Sequence, residues 1–184
     1  MEHIFQTIGS PQAPDPQVMQ YAKFYKEQVN RIPDGGRFVE VGVYYGRSFS
    51  YFIVEMINAG KVIDCVAVDA CPWDGEPCTG FHRHMEPLKD YYRVMFERVD
   101  SFVAAQNFED ESIDFCFIDA NHTYPFISKD IAAYLPKVKK GGVIAGHDID
   151  DEGVRRATME AFAGKVTGLG MIIDPQQNIW YVQL

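Results

Sequence analysis

Residues 113–148 read IDFCFIDANHTYPFISKDIAAYLPKVKKGGVIAGHD, and the order of patterns in that stretch decides the fold. Ile113 to Asp119 is an apolar run closed by an acid, which marks a strand. Ser128 to Leu135 has helical spacing, Lys139-Lys140-Gly141-Gly142 reads as a turn, and Val143 to Gly146 is another apolar run, followed by His147-Asp148. Strands this apolar belong to a parallel sheet covered on both faces.

The same alternation extends toward the N-terminus. Arg37-Phe-Val-Glu-Val-Gly42 is a short buried strand entering a glycine-bearing turn, and Ser48 to Asn58 is its helix, closed by Gly60. Val62 to Asp69 is the next strand. Ala70 to Gly80, with Pro72, Gly75 and Pro77, is a loop; Phe81 to Tyr92 holds a helix, Val94 to Val99 a strand, and Ser101 to Gln106 a short helix. Ahead of all this, Pro11, Pro14 and Pro16 set an arm lying on the surface or on a partner, and a helix runs from Gln17 and ends before Pro33, with Asp15 as cap and Pro16 at its first position. After Asp148, Gly153 to Phe162 is helical, with Asp150 or Asp151 at its start. Val166 to Ile173 and Ile179 to Leu184 are separated only by Asp174-Pro-Gln-Gln-Asn178, too short for a crossover, so they form an antiparallel hairpin. The expectation is an α/β doubly wound sheet, mostly parallel with a C-terminal antiparallel hairpin. It occupies one domain over 1–184: an arm and helix (1–36) and a core (37–184).

The 184 residues carry 17 Lys+Arg against 26 Asp+Glu, a formal net charge of −9. That balance argues against nucleic acid as partner, since binding phosphates needs clustered cations. No apolar run reaches membrane-spanning length and the first residues lack signal-peptide order, so the expectation is a cytoplasmic protein with no membrane partner. Cys65 and Cys116 lie in apolar runs and read as reduced core thiols. Cys71, Cys78, His82 and His84 are zinc-ligand types, but their C-x6-C-x3-H-x-H spacing is not a standard zinc pattern, so this region reads as a substrate-side loop.

In an open parallel sheet ligands bind beyond the carboxyl ends of the strands. Those ends carry Glu40-Val-Gly42-Val-Tyr44-Tyr-Gly46, Asp69-Ala70, Asp100-Ser101, Asp119-Ala-Asn-His122 and His147-Asp148. Tyr44 stands where a dinucleotide fingerprint has its second glycine, so a pyrophosphate is poorly served. Asp69 can accept both hydroxyls of a ribose or simply cap a helix. Asp100-Ser101 either meets an adenine edge or caps the short helix. His122 and His147 are candidate general bases, or histidines that tie loops together. Trp73 and Tyr124 are candidate pocket walls, whereas Phe81 and Tyr91 read more simply as core. Lys137, Lys139 and Lys140 form a solvated basic run.

Taken together, Glu40-x-Gly42-x-x-x-Gly46-Arg-Ser48, Asp69, the block Ile113 to Tyr124 and Gly141 to Asp148 resemble the class I S-adenosylmethionine-dependent methyltransferases. The similarity is greatest to the small-molecule O-methyltransferase group that includes macrolide-sugar enzymes. It covers about residues 37 to 160 and implies a Rossmann-like seven-stranded sheet. It also implies S-adenosyl-L-methionine as cofactor. Glu40 and Gly42 would then face the methionine part, with Tyr44, Gly46 and Ser48 in the same turn. Asp69 and Ala70 would meet the ribose, Asp100 and Ser101 the adenine, and Asp119 would close the cofactor site. In related metal-dependent enzymes an acid after the fourth strand and two ligands after the fifth hold a divalent cation. The positions here are Asp119, His147 and Asp148, and a histidine in that set favours Mn²⁺, Fe²⁺ or Zn²⁺ over Mg²⁺.

The function expected is methylation of a small-molecule hydroxyl of sugar or phenolic type, with Asp119 and either His122 or His147 catalytic, in a chain expected to form a homodimer. Two other classes compete: an NAD(P)-dependent oxidoreductase on a similar sheet, and a non-catalytic nucleoside-binding or assembly module.

Overall fold

The computed structural model describes residues 1–4, 20–70, 76–95, 100–162 and 170–184. The elements in order are α1 (Ala22–Arg31), β1 (Arg37–Val41), α2 (Arg47–Asn58), β2 (Asp64–Val68), α3 (Glu76–Met85), β3 (Tyr92–Met95) and α4 (Ser101–Ala104). They continue with β4 (Ile113–Ile118), α5 (Tyr124–Tyr134), β5 (Val138–His147), α6 (Glu152–Phe162), β6 (Ile172–Asp174) and β7 (Ile179–Gln183). The seven strands form one sheet in the order β3-β2-β1-β4-β5-β7-β6. β1 to β5 pair in parallel, and β7 runs antiparallel to both β5 and β6. This is the doubly wound sheet with a reversed edge that the sequence implies.

Side-chain alternation along each strand divides the core in two. Phe38, Cys65, Ala67, Phe115 and Phe117 face α1 and α2, while Val39, Val41, Val66, Val68, Cys116 and Ile118 face α4, α5 and α6. The first face is aromatic: the Phe38 ring stacks on Phe52 at 3.8 Å and on Phe115 at 5.0 Å, and Tyr25 meets both Phe115 and Phe117 edge-on. Burying rings of this size is the largest single contribution side chains make to a core. Glu40 follows the same alternation, so a carboxylate is delivered into the aromatic face. Cys65 and Cys116 are free and buried.

Some element boundaries differ from the sequence expectation. The helix expected over Phe81 to Tyr92 is α3 to Met85 and then a 3₁₀ turn over Glu86–Tyr91, because Pro87 has no N–H to continue the α ladder. The helix after β4 begins at Tyr124 rather than Ser128, with Pro125 in its first turn, where a missing N–H costs nothing. The expected turn at Lys139 to Gly142 is instead part of β5: the register advances two residues on β4 against five on β5, and Gly141 takes φ +82°. The basic run faces carboxylates, with Lys137 on Asp110, Lys139 on Asp114 and the solvent-exposed Lys140 on Glu111.

Asp151, of the two candidates, caps α6: its Oδ1 accepts the Gly153 and Val154 amides at 2.7 and 3.3 Å. Pro11, Pro14, Asp15, Pro16, Gln17, Cys71, Pro72, Trp73, Gly75, the end of the third strand to Val99 and the start of the hairpin at Val166 lie outside the described residues, as does the Cys78 side chain. Among the described residues no helix is long and apolar enough to cross a membrane.

Candidate active site

β1 has β2 on one side and β4 on the other, so the chain leaves β1 in one direction and returns in the other. The crevice at such a reversal lies beyond the carboxyl ends of β1 and β4. Gly42 makes that approach possible. It takes φ +88°, its amide bonds Val68 O at 2.8 Å, and a Cβ there would lie 2.3 Å from the Asp119 carbonyl oxygen. The Asp119 amide in turn bonds Val41 O at 2.8 Å. Gly42 therefore lets the end of β4 close against β1, a packing role beyond the turn read from sequence. Gly46 caps α2 at φ +83° and is covered by Phe81 and Met85.

Tyr44 adopts φ +48°, the left-handed conformation that a glycine would hold at little cost. The strain is held by Asp69, whose Oδ2 accepts the amides of Val43 and Tyr44 at 3.0 and 2.9 Å. Asp69 thus fixes the turn from the neighbouring strand end, and Ala70 follows it half-buried.

Glu40 is fully buried. Its Oε2 accepts the Tyr25 hydroxyl at 3.0 Å and its Oε1 the Ser48 hydroxyl at 2.5 Å. Burial is the main reason its carboxyl is pushed up to about 8. The two hydroxyl donors oppose that shift, and the charges of Asp119 and Asp69 add to it.

The second group lies beyond β4 and β5. His122 Nε2 stands 3.1 Å from Asp148 Oδ2 and 3.5 Å from Asp119 Oδ1. One donor atom each from Asp119, His122 and Asp148 lie within 4.8 Å of one another. The hydrogen bond with Asp119 is the main cause holding His122 above the ordinary imidazole value, against partial desolvation. His147 is placed differently: its Nδ1 faces Asp148 Oδ1 at 3.1 Å and its Nε2 faces Gln20 Oε1 at 3.2 Å. Burial alone would push His147 down, but the bond to Asp148 and the nearby carboxylates outweigh it, and its pKa is raised. For Asp148 burial likewise opposes ionisation, and the two histidines overcome it, leaving its carboxyl below the usual range.

The structure therefore brings together Asp119, His122 and Asp148, where the sequence reading had placed His147 in the metal set. His147 stands beside that set rather than in it, with Nδ1 on Asp148 and Nε2 on Gln20. Tyr124 joins α5 to α6: its hydroxyl bonds Glu160 at 2.5 Å and Arg156 lies over its ring at 3.9 Å. Phe81 is core, as read, whereas Tyr91 is exposed. Asp100 is exposed at the start of α4 and makes no side-chain cap. The Ser101 hydroxyl donates to Asp130 of α5.

Four contributors escaped the sequence reading. Gln20 and Tyr21 precede α1, and Tyr21 packs on His147 with its hydroxyl 3.4 Å from Asp119 Oδ2. Tyr25 lies four residues from Tyr21, a helical spacing that carries no sign that its hydroxyl reaches a carboxylate. Asn178 read only as hairpin, yet it donates to Asp148 Oδ1 at 3.2 Å and takes φ +54°.

A family model described as a methyltransferase domain matches residues 39–149. A protein of Sinorhizobium fredii, called uncharacterized protein y4gI, is 32% identical over 123 residues, which are 62% of this chain and 13% of that protein. The chain thus spans 13% of the length of the curated relative it matches.

Among solved structures, the SAH-bound methyltransferase PaMTH1 of Podospora anserina superposes with a TM-score of 0.74 at 11% identity, over 100% of this chain and 88% of that one. The O-methyltransferase of Bacillus cereus in complex with SAH does so with 0.65 at 18% identity, over 100% and 92%. CalS11, a TDP-rhamnose 3'-O-methyltransferase of calicheamicin biosynthesis, gives 0.66 at 15% identity, over 90% and 77%. At these identities the likeness is one of fold.

Proposed function

The chain belongs to the methyltransferase domain family, and from that premise we propose that it transfers a methyl group from S-adenosylmethionine to a hydroxyl oxygen of a small molecule such as a sugar or a phenol. The observation that carries the reading is His122 held between Asp119 and Asp148 at the same sheet edge as the buried Glu40. S-adenosylmethionine, when bound, supplies an electrophilic methyl on a sulfonium.

The residues present fit such a cofactor. Glu40 is a carboxylate whose ionisation is opposed by burial, so an adjacent cation, here an α-ammonium group, is what would restore its charge. In this reading Asp69 would meet the ribose and Asp100 the adenine. Transfer would form the oxygen–methyl bond, break the sulfur–methyl bond, and leave a neutral thioether. The proton of the acceptor hydroxyl would pass to Nδ1 of His122, because Nε2 faces Asp148 and Asp119 at 3.1 and 3.5 Å and carries the hydrogen donated to them; the two carboxylates stabilise the imidazolium that results. Gln20 and Asp148 hold the His147 ring beside this group. Orientation supplies much of the rate, since aligned reactants reach effective molarities of about 10⁵ M or more.

A second reading of the same cluster is a divalent cation held by Asp119, His122 and Asp148, two carboxylates and an imidazole that suit Mn²⁺, Fe²⁺ or Zn²⁺. A cation there would lower the pKa of an acceptor hydroxyl. The two roles exclude each other at His122, because a ring whose Nε2 lone pair holds a metal carries its hydrogen on Nδ1 and has no lone pair left for the acceptor proton.

Calorimetric titration with S-adenosylmethionine is the first test, with binding in the micromolar range expected. No heat at millimolar concentration, or a thermal shift with NAD instead, would overturn the reading. Acceptor screening with and without EDTA then separates base from metal: activity undiminished in EDTA leaves His122 as the base.

A further inference from the structure

The basic run of Lys137, Lys139 and Lys140 has no part in the chemistry just proposed, yet two of its members line a cavity of about 200 Å³ at the opposite edge of the sheet. Asp114, at the amino end of β4, lines the same cavity and stands five residues before Asp119, roughly 16 Å along the strand. The cavity exists because β5 bulges. Between the pairs Ile113–Val138 and Phe115–Val143 the longer strand loops outward, and the loop is pinned where it rejoins the sheet: the Gly141 amide bonds Leu184 O at 2.6 Å and the Leu184 amide bonds Gly142 O at 3.0 Å. A bulge of this kind aims side chains where a regular strand would not. The facing wall is the last turn of α1 with Pro33 beyond it.

The side chains around this space are donors. Arg31 is exposed, and its guanidinium forms no ion pair or hydrogen bond among the described residues. It is not needed at the carboxyl end of α1, because Lys61 Nζ already bonds the carbonyls of Val29, Asn30 and Ile32 at 2.8, 2.8 and 2.7 Å. Gln28 is 3% exposed, and its side-chain amide bonds nothing among the described residues, although a buried amide without a partner is unfavourable. Lys139 spends one of its three donors on Asp114 Oδ2 at 2.8 Å, and the Arg37 amide reaches the same oxygen at 2.7 Å, so the one acid lining the cavity is offset in contact. With the exposed Lys140 at the rim, cations outnumber acids here in a chain whose net charge is −9. We propose that this cavity is a second binding site, separate from the methyl-transfer edge, for a phosphate group, either free or carried on a small molecule. Arg31 grips two of its oxygens with a planar fork, Gln28 donates from the buried wall, and Lys139 supplies a further charge. A phosphate offers three or more acceptor oxygens to donors arriving from these separate directions, where a carboxylate offers two.

Calorimetric titration of the whole chain with inorganic phosphate, at constant ionic strength, is the test, and submillimolar binding is expected. Arg31→Ala weakens it tenfold or more and Gln28→Leu fivefold or more. Lys23→Ala, which removes the same charge from the same helix outside the cavity, leaves it within twofold. Because Arg31 is exposed and supports no other contact, its variant keeps the test open should Gln28→Leu fail to fold. A parallel titration with glycerol 3-phosphate separates the two sources: binding tighter than that of inorganic phosphate marks a phosphorylated small molecule as the ligand, and weaker binding marks free phosphate. No heat from either compound at millimolar concentration, or an affinity in Arg31→Ala no lower than in Lys23→Ala, overturns the proposal. Neither titration involves S-adenosylmethionine, so the methyl-transfer reading stands or falls separately.

Discussion

At Glu40 the protein buries an acid that prefers to be neutral, and the linkage between protonation and folding gives that preference a measurable sign. With a carboxyl near 8 in the folded chain and an ordinary value of 4.5, the folded state holds a proton that the unfolded state has already released over that interval. Stability from this group is fully present below about 4.5 and is lost as the pH rises to about 8, a loss of order 3 kcal/mol by pH 7. Glu40→Gln removes the titrating group. Thermal denaturation of the ligand-free variant should show a shallower fall between pH 5 and 8 and, at pH 8, a gain of about 1 kcal/mol, while calorimetry shows affinity for S-adenosylhomocysteine reduced at least a hundredfold. Parallel pH profiles for the two proteins would mean that Glu40 is not the acid responsible. His122→Ala separates the second group from the first: the methyl-transfer rate should fall about 10²–10⁴-fold, the range for loss of a general base, with cofactor affinity kept within a few-fold. Glu40 and His122 were both visible in the sequence because one is an acid inside an apolar strand and the other follows the acid that closes one. Gln20, Tyr21, Tyr25 and Asn178 were not, because a tyrosine in a helical apolar spacing looks like core until the hydroxyl is seen to reach Glu40 or Asp119.

Among the elements, the approach of β4 to β1 depends on Gly42 more than on any other backbone position of the site. An alanine Cβ there would meet the Asp119 carbonyl at 2.3 Å and the Ala120 Cα at 2.6 Å, and neither backbone atom can swing aside. Gly35 has a similar positive φ of +76° but open space where a Cβ would stand. Gly35→Ala should therefore cost about 1 kcal/mol from backbone strain alone, whereas Gly42→Ala should cost roughly 3 kcal/mol and abolish cofactor binding. Urea denaturation of both variants checks this; equal losses would show that the close contact carries no weight. The elements themselves were largely legible, since strands apolar on both faces are hard to mistake. What sequence periodicity misjudged were helix and strand ends, at Pro87, Pro125 and the lysines of β5. There a single missing N–H or a register shift decides the outcome, and such local events leave no periodic trace.

Across the whole molecule the net charge of −9 takes on a position. Glu40, Asp69, Asp100, Asp119 and Asp148 gather at one sheet edge. The remaining acids include Asp64 between Arg37 and Arg93, exposed pairs such as Glu27 with Lys23, and Asp114 under Lys139. Exposed pairs of that kind contribute about 0–1 kcal/mol and project little field at physiological salt, where the screening length is about 8 Å. A cationic cofactor should therefore respond to where a charge is removed and not to how many are removed. Neutralising Asp69 as Asp69→Asn should lower its affinity by tenfold or more, partly through loss of the hold on the Val43 and Tyr44 amides. Neutralising Glu27 and Glu109 together, a larger change in net charge, should leave affinity within twofold. Titrations at low and at 0.5 M salt complete the comparison: the Asp69 effect persists because it acts at contact distance, and any small effect of the distant pair disappears. If the distant double variant weakened binding as much as Asp69→Asn, the acidity would act as a long-range field, and the placing of function at one edge would fail.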